Sequence, residues 1–193
     1  MAVDRRKQIV EAAAKSFALF GYKATTMDQV ARIANVGKGT IYTFFVNKEE
    51  LFDEIMKDFI RDILRIAEEA IDPSRPFFEN MHRVLYGVLD FRNRHALTVQ
   101  LTHEIREVGT PKVRESMDGI EKALLAFIRD KVSEAVGKGE MKPCDPDLTA
   151  FVILKLYFAL VNDWERTHAP LGKEKISQLM ELYLVHGLAA ELP

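Results

Sequence analysis

Residues 26–45 read Thr-Met-Asp-Gln-Val-Ala-Arg-Ile-Ala-Asn-Val-Gly-Lys-Gly-Thr-Ile-Tyr-Thr-Phe-Phe, and this stretch decides the fold. Thr26 stands three residues before Gln29, the spacing at which two side chains satisfy the free N–H groups of a helix start. The short helix it opens carries Val30, Ile33 and Ala34 as its buried face. Asn35-Val36-Gly37 breaks that helix, and Lys38 to Phe45 is helical again, with Ile41 and Phe45 four apart on the inner side. Two short helices around a three-residue break that contains glycine, within a basic region, spell a helix-turn-helix.

Upstream, Ile9, Ala13, Phe17 and Phe20 recur at helical spacing from about Asp4, and Gly21 follows as a natural stop. Downstream, Asn47-Lys-Glu-Glu50 is a second capping pattern and opens a long fourth helix to about Ala70. After Asp72-Pro-Ser-Arg-Pro76 come helices over about 77–92 and 96–108, and a third from Pro111 to Gly137 with Thr110 as its cap. Asp145-Pro146 caps an apolar helix to about Thr167, and a last helix fills 173–189. No segment alternates with a period of two, so the chain reads as all-α with about nine helices.

Among 193 residues, 48% are hydrophobic and 29% charged, the balance of a soluble globular protein. No apolar run reaches the roughly 18 residues of a membrane span, and the charged N-terminus lacks a secretory apolar stretch, so the expected location is the cytoplasm. A lone Cys144 excludes an internal disulfide and a multi-cysteine zinc site. The net charge of −2 hides a split: residues 1–48 hold eight bases against three acids, and the rest holds 19 bases against 26 acids. A basic module of net +5 on an acidic body of net −7 is the asymmetry of a chain that meets a polyanion at one end, although surface fluctuation alone produces the same figure about as often.

Three blocks carry a resemblance. Ile9 to Tyr22 with its Ala-Ala, Leu-Phe and Gly-Tyr pairs, then Ala-Thr-Thr-Met-Asp-Gln-Val-Ala, then Lys-Gly-Thr-Ile-Tyr followed by Phe and Asn-Lys-Glu-Glu-Leu, occur in order and at fixed spacing over residues 9–56. This quarter of the chain resembles the DNA-binding domain of the TetR family of one-component transcriptional repressors. The resemblance implies a DNA-binding domain over 1–48, an effector-binding and dimerisation domain over 49–193, and a homodimer formed through the last two helices. It also implies a double-stranded DNA operator, phosphate contacts from Thr40, Tyr42 and Lys48, and base or sugar contacts from Lys38 and Thr43. Three positions depart from the family pattern: Gly37 replaces a capping serine, Phe44 a polar residue or histidine, and Val46 a proline.

The residues also argue for themselves. Arg5, Arg6 and Lys7 stand at the positive end of the first helix, where a cation costs about 0.3–1 kcal/mol; phosphate contact explains them, and so does a solvated terminus. Thr25 and Thr26 place hydroxyls beside free amides at a helix start, a phosphate site or simply a cap. With Ile41 and Phe45 inward, Lys38, Gly39, Thr40, Tyr42, Thr43 and Phe44 face outward; Gly39, about 1 kcal/mol worse than alanine there, permits close backbone approach.

In the body, helices eight and nine carry more apolar surface than a terminal pair buries alone, with Tyr157, Phe158, Val161, Trp164, Leu179, Met180 and Tyr183 as the candidate dimer interface or, failing that, an ordinary core. An effector cavity among helices four to seven would take polar groups from Arg92, His103, Glu104, Arg106 and Glu107, with Asn162 and Arg166 from helix eight. The segment Gln100 to Arg114, with its Glu-Ile-Arg followed by a later Val-Arg, is similar to the acyl-CoA-responsive fatty-acid regulators of the family, which makes a long-chain acyl-CoA one candidate effector and another hydrophobic molecule the alternative. No catalytic constellation, cofactor motif or third ligand to His103 and Glu107 is present in the pattern, which gives catalysis little support; the competing function class is a helical small-molecule binder or enzyme that keeps its basic head only for solubility.

Overall fold

The structure, a computed structural model, describes residues 4–185; the side chains of residues 92–94, 106, 162, 166, 173, 177 and 185 lie outside that description. Its helices are α1 Arg5–Ala24, α2 Met27–Ile33, α3 Lys38–Tyr42, α4 Lys48–Glu69, α5 Phe77–Arg94, α6 Ala96–Glu107, α7 Pro111–Gly137, α8 Pro146–Phe158 and α9 Lys173–Met180, nine in all and without a strand among the described residues. The predicted order and class hold. The caps hold as well: Thr26 accepts from the N–H of Gln29, Asn47 from Glu50, and Asp145 from Asp147 and Leu148. Glu50 completes the second box one residue early, accepting from the Val46 N–H at 2.7 Å.

Helix ends differ from the sequence reading for identifiable reasons. Gly21 does break α1, at φ 80° and ψ 168°, but Tyr22–Ala24 then add one more turn. The left-handed residue of the α2–α3 turn is Asn35 (φ 51°), not Gly37. Its N–H reaches the Arg32 carbonyl and the next N–H, of Val36, the Ala31 carbonyl, which is a Schellman closure. Helix α3 is five residues long and ends before Phe45. Helix α8 does not run regularly to Thr167: it widens to π winding over Ala159–Asp163 and tightens to 3₁₀ over Trp164–Arg166. The expectation that the last helix reaches residue 189 extends beyond the described residues.

The chain forms two compact units, one of Met1–Asp62 and Asp90–Ile120, the other of Ile63–Leu89 and Glu121–Pro193. The breaks between these units fall inside α4, α5 and α7. In the first unit Phe17 packs edge-on to Phe52 at 5.1 Å, and Tyr22 lies against both rings. Ile9, Ala13, Val30, Ile41 and Leu51 complete that core. Phe20 and Ile33, assigned inward by spacing, are exposed: Phe20 is the last residue before the break, and the seven-residue α2 seats Val30, Ala31 and Ala34 instead.

The second unit buries Leu85, Ile128, Val132, Ile153, Leu154, Tyr157 and Met180. Tyr157, Val161 and Trp164 would share one face of a regular helix, but the change of winding separates them. Tyr157 and Val161 turn into the core, while Trp164 is exposed, stacked on His168 and donating to the Ala169 carbonyl.

Candidate nucleic-acid interface

Five residues are too few for a helix to persist alone, so α3 exists because the unit holds it. Ile41 is 0% exposed and Phe45 2%, and these two anchors seat the last turn of the helix and the residues that follow it. The other side chains of the segment are more open: Lys38, Gly39 and Thr43 are exposed, Thr40 half-buried, Tyr42 47% exposed and Phe44 39%. Nothing lies within 4 Å of where a Gly39 Cβ would stand, so packing inside the chain does not demand glycine there. Gly37 is the N-cap of α3 and offers no side-chain bond.

The charged groups around this face are partly engaged. Lys38 pairs with Asp28 at 2.9 Å, and that partner pushes its ammonium pKa up. Thr43 donates to the Thr40 carbonyl at 2.7 Å. Arg5 is exposed, and Lys7 lies 3.9 Å from Glu11. Arg6 pairs with Glu54 at 2.8 Å and covers the Phe45 ring, so it braces the anchor beneath α3. Thr26 is exposed and caps α2, whereas the hydroxyl of Thr25 turns inward, donating to the Gly21 carbonyl at 2.8 Å and meeting Ser16.

Lys48 donates to the carbonyls of Tyr22 at 2.9 Å and Thr25 at 3.0 Å and sits over the Tyr22 ring. One of its three N–H groups remains for an outside acceptor. The Tyr22 hydroxyl donates to Glu49 at 2.9 Å; burial, then that carboxylate, pushes the phenol pKa up, while the backbone amide at the start of α4 and the phenol hold Glu49 down.

The sequence reading missed the role of Glu104. Assigned to an effector cavity, it is instead 5% exposed and reaches the break in α1, accepting the N–H of Tyr22 at 2.6 Å and of Lys23 at 3.1 Å. A signal was available: Leu97, Leu101 and Glu104 fall on one helical face, and an acid on an otherwise apolar stripe needs donors from elsewhere. His103 and Glu107 are exposed on α6, and the side chains of Arg92, Arg106, Asn162 and Arg166 lie outside the described ones. A cleft of about 280 Å³ in the second unit is lined by other residues, among them Ile71, Phe77, Met81 and Lys131. Of the candidate interface residues, Trp164 and Tyr183 are exposed, Phe158 and Leu179 half-buried, and Tyr157, Val161 and Met180 belong to the protomer's core. Leu148, Phe151 and Val152 form an exposed apolar stripe on α8.

A three-helix module that seats one short helix on two inward anchors and turns its other side chains outward defines a helix-turn-helix transcriptional regulator. Residues 9–55 match the family model described as bacterial regulatory proteins, tetR family. The chain is 55% identical over 190 residues to the HTH-type transcriptional regulator YhgD of Bacillus subtilis strain 168, covering 98% of this chain and 100% of that one. It is 28% identical to the fatty acid metabolism regulator protein of the same organism, covering 94% of each. The flavonoid-responsive regulator FrrA shares the fold at a TM-score of 0.79 with 21% identity, over 99% of this chain and 100% of that one. The chain belongs to the TetR family of bacterial transcriptional regulators, and these relatives are regulators, not enzymes. No helix among the described residues is long and apolar enough to cross a membrane.

Proposed function

We propose that this regulator is a homodimeric repressor that binds a palindromic operator through α3 and is released by a small hydrophobic effector. The observation that supports it is the division of labour in α3, where Ile41 and Phe45 hold the helix and Lys38, Gly39, Thr40, Tyr42, Thr43 and Phe44 are left outward. Two copies of such a helix, one helical turn of DNA apart, read two half-sites. Selection of duplexes from a random-sequence library by the full chain should return a palindrome, and failure to enrich any duplex would end the DNA-binding role. On the selected duplex, Tyr42→Phe is expected to weaken specific and random DNA together, whereas Lys38→Ala or Thr43→Ala shifts preference among operator variants.

Gly39 offers a sharper test, because its two effects have opposite signs. With open space at the Cβ position, Gly39→Ala is expected to stabilise the fold by about 0.5–1 kcal/mol. The same methyl stands where backbone meets DNA, so operator affinity falls. Thermal melts and binding isotherms on one preparation check both signs; a more stable variant with undiminished affinity would remove Gly39 from the interface.

For the effector, a long-chain acyl-CoA is the proposed class, supported by the 28% identity to a fatty acid metabolism regulator. An acyl chain gains about 0.8 kcal/mol per buried methylene, and its polyanionic head needs cations, for which Arg106 is the first candidate, with Arg92 and Arg166 behind it. Acyl-CoA should release the operator where free fatty acid does so poorly, and Arg106→Ala should raise the concentration required without altering DNA affinity. Calorimetry showing no acyl-CoA binding would replace this class with a neutral hydrophobic effector.

A further inference from the structure

We infer that Glu104 is a positioning residue for operator binding: its carboxylate, carried in on α6, holds the turn from which α2 starts and thereby aims the reading helix. The inference rests on the proposal that α2 and α3 read DNA. Between the break at Gly21 and the cap at Thr26, the chain has only the single turn Tyr22–Ala24 of its own to support it. Side chains from two other helices support it instead. On one side Lys48 of α4 donates to the Tyr22 and Thr25 carbonyls. On the other, Glu104 accepts the N–H groups of Tyr22 and Lys23 at 2.6 and 3.1 Å. The turn is therefore held through its carbonyls by a cation and through its amides by an anion, and both sets of bonds are of the stronger, charge-assisted kind.

The fit allows little substitution on either partner. At Gly21, which has a φ of +80°, a Cβ would stand 2.5 Å from Glu104 Oε2, so a side chain there would be strained by the backbone and would displace the carboxylate. Glu104 in turn occupies the last turn of α6, where the helix dipole disfavours an anion, and it is buried. Local stability of α6 does not account for an acid in that place; the two amides of the α1–α2 turn do. A third donor, the Thr110 hydroxyl at 2.7 Å, ties the same carboxylate to the α6–α7 turn, and Lys112 just beyond it pairs with Asp53 of α4 at 2.6 Å. A change in the α6–α7 turn thus reaches the start of α2 through one carboxylate.

The test is a double-mutant cycle on the full-length dimer with the duplex selected by the wild-type chain. Glu104→Gln keeps the size of the side chain and one carbonyl oxygen but faces a second backbone N–H with an NH₂ group. Its operator affinity, measured on protein with wild-type helical content, is expected to fall at least tenfold while the slope of log affinity against log salt stays unchanged, because no phosphate contact is removed. Gly21→Ala should produce a similar loss, and the double variant should lose no more than the worse single one. In the same Glu104→Gln protein, hydrogen exchange at the Tyr22 and Lys23 amides should accelerate at least tenfold, a readout that needs no DNA. Wild-type affinity in a folded Glu104→Gln dimer, additive losses in the cycle, or unchanged exchange at those two amides would each overturn the assignment. The wild-type isotherm tests the proposed function, and the ratio of variant to wild type tests Glu104, so the two fail separately.

Discussion

Phe151→Asp is expected to leave a folded monomer that binds the operator roughly 1,000-fold more weakly, a loss of about 4 kcal/mol. Phe151 stands with Leu148 and Val152 on an exposed apolar stripe of α8, and Leu182 and Tyr183 beyond α9 are exposed as well. Phe151 lies under the Lys155 ammonium and outside the core, so a carboxylate there spares the core formed by Ile153, Leu154 and Tyr157. In a dimer joined through this stripe the same carboxylate is buried without a partner, which is why one substitution has so large an effect. Operator affinity follows because a single half-site lacks the second reading helix. Sedimentation at micromolar concentration and duplex binding check both parts, and a dimer that persists in Phe151→Asp would place the interface elsewhere. Tyr157, buried at 1% exposure, belongs to a different experiment, since its truncation damages the protomer first.

Phe17→Ala carries the second large effect, on stability. The ring is fully buried between Phe52 and Tyr22, and removing it leaves a cavity at the point where α1, the α1–α2 turn and α4 meet. Truncation of a buried phenylalanine costs about 3–5 kcal/mol, a large fraction of the roughly 5–15 kcal/mol that holds a typical domain together. Urea unfolding should show the free energy of unfolding falling by that amount and the midpoint falling with it, with operator binding lost on warming well before wild type. A change below about 1 kcal/mol would mean that the aromatic trio is not what fastens α1 to α4.

Most of the fold was readable because its signals are local. Thr26, Asn47 and Asp145 act on N–H groups two to three residues away, and each is found capping the helix assigned to it. Ile41 and Phe45 were legible as anchors because spacing alone puts them on one side of a helical segment. What escaped the sequence is what depends on distant partners or on winding. Glu104 meets Tyr22 across 82 positions, and no local pattern names that pair. Thr25 shares its neighbourhood with Thr26 and is equally polar, yet the break at Gly21 turns one hydroxyl inward and leaves the other at the surface. Trp164 left the face of Tyr157 and Val161 because the π and 3₁₀ turns after Phe158 change the angle per residue, which an assumed period of 3.6 does not anticipate.

The brevity of α3 has an evolutionary consequence. Ile41 and Phe45 are the buried side chains of this segment, whereas those at 38, 39, 42, 43 and 44 are exposed and bear little on the core. If α3 reads the operator as proposed, substitutions on the outer face are expected to change which DNA sequence is preferred with little change in stability, while the two anchors tolerate almost none. Duplicated copies of such a gene can acquire new targets by drift at these outward positions, and the inherited scaffold does not have to be rebuilt for each one.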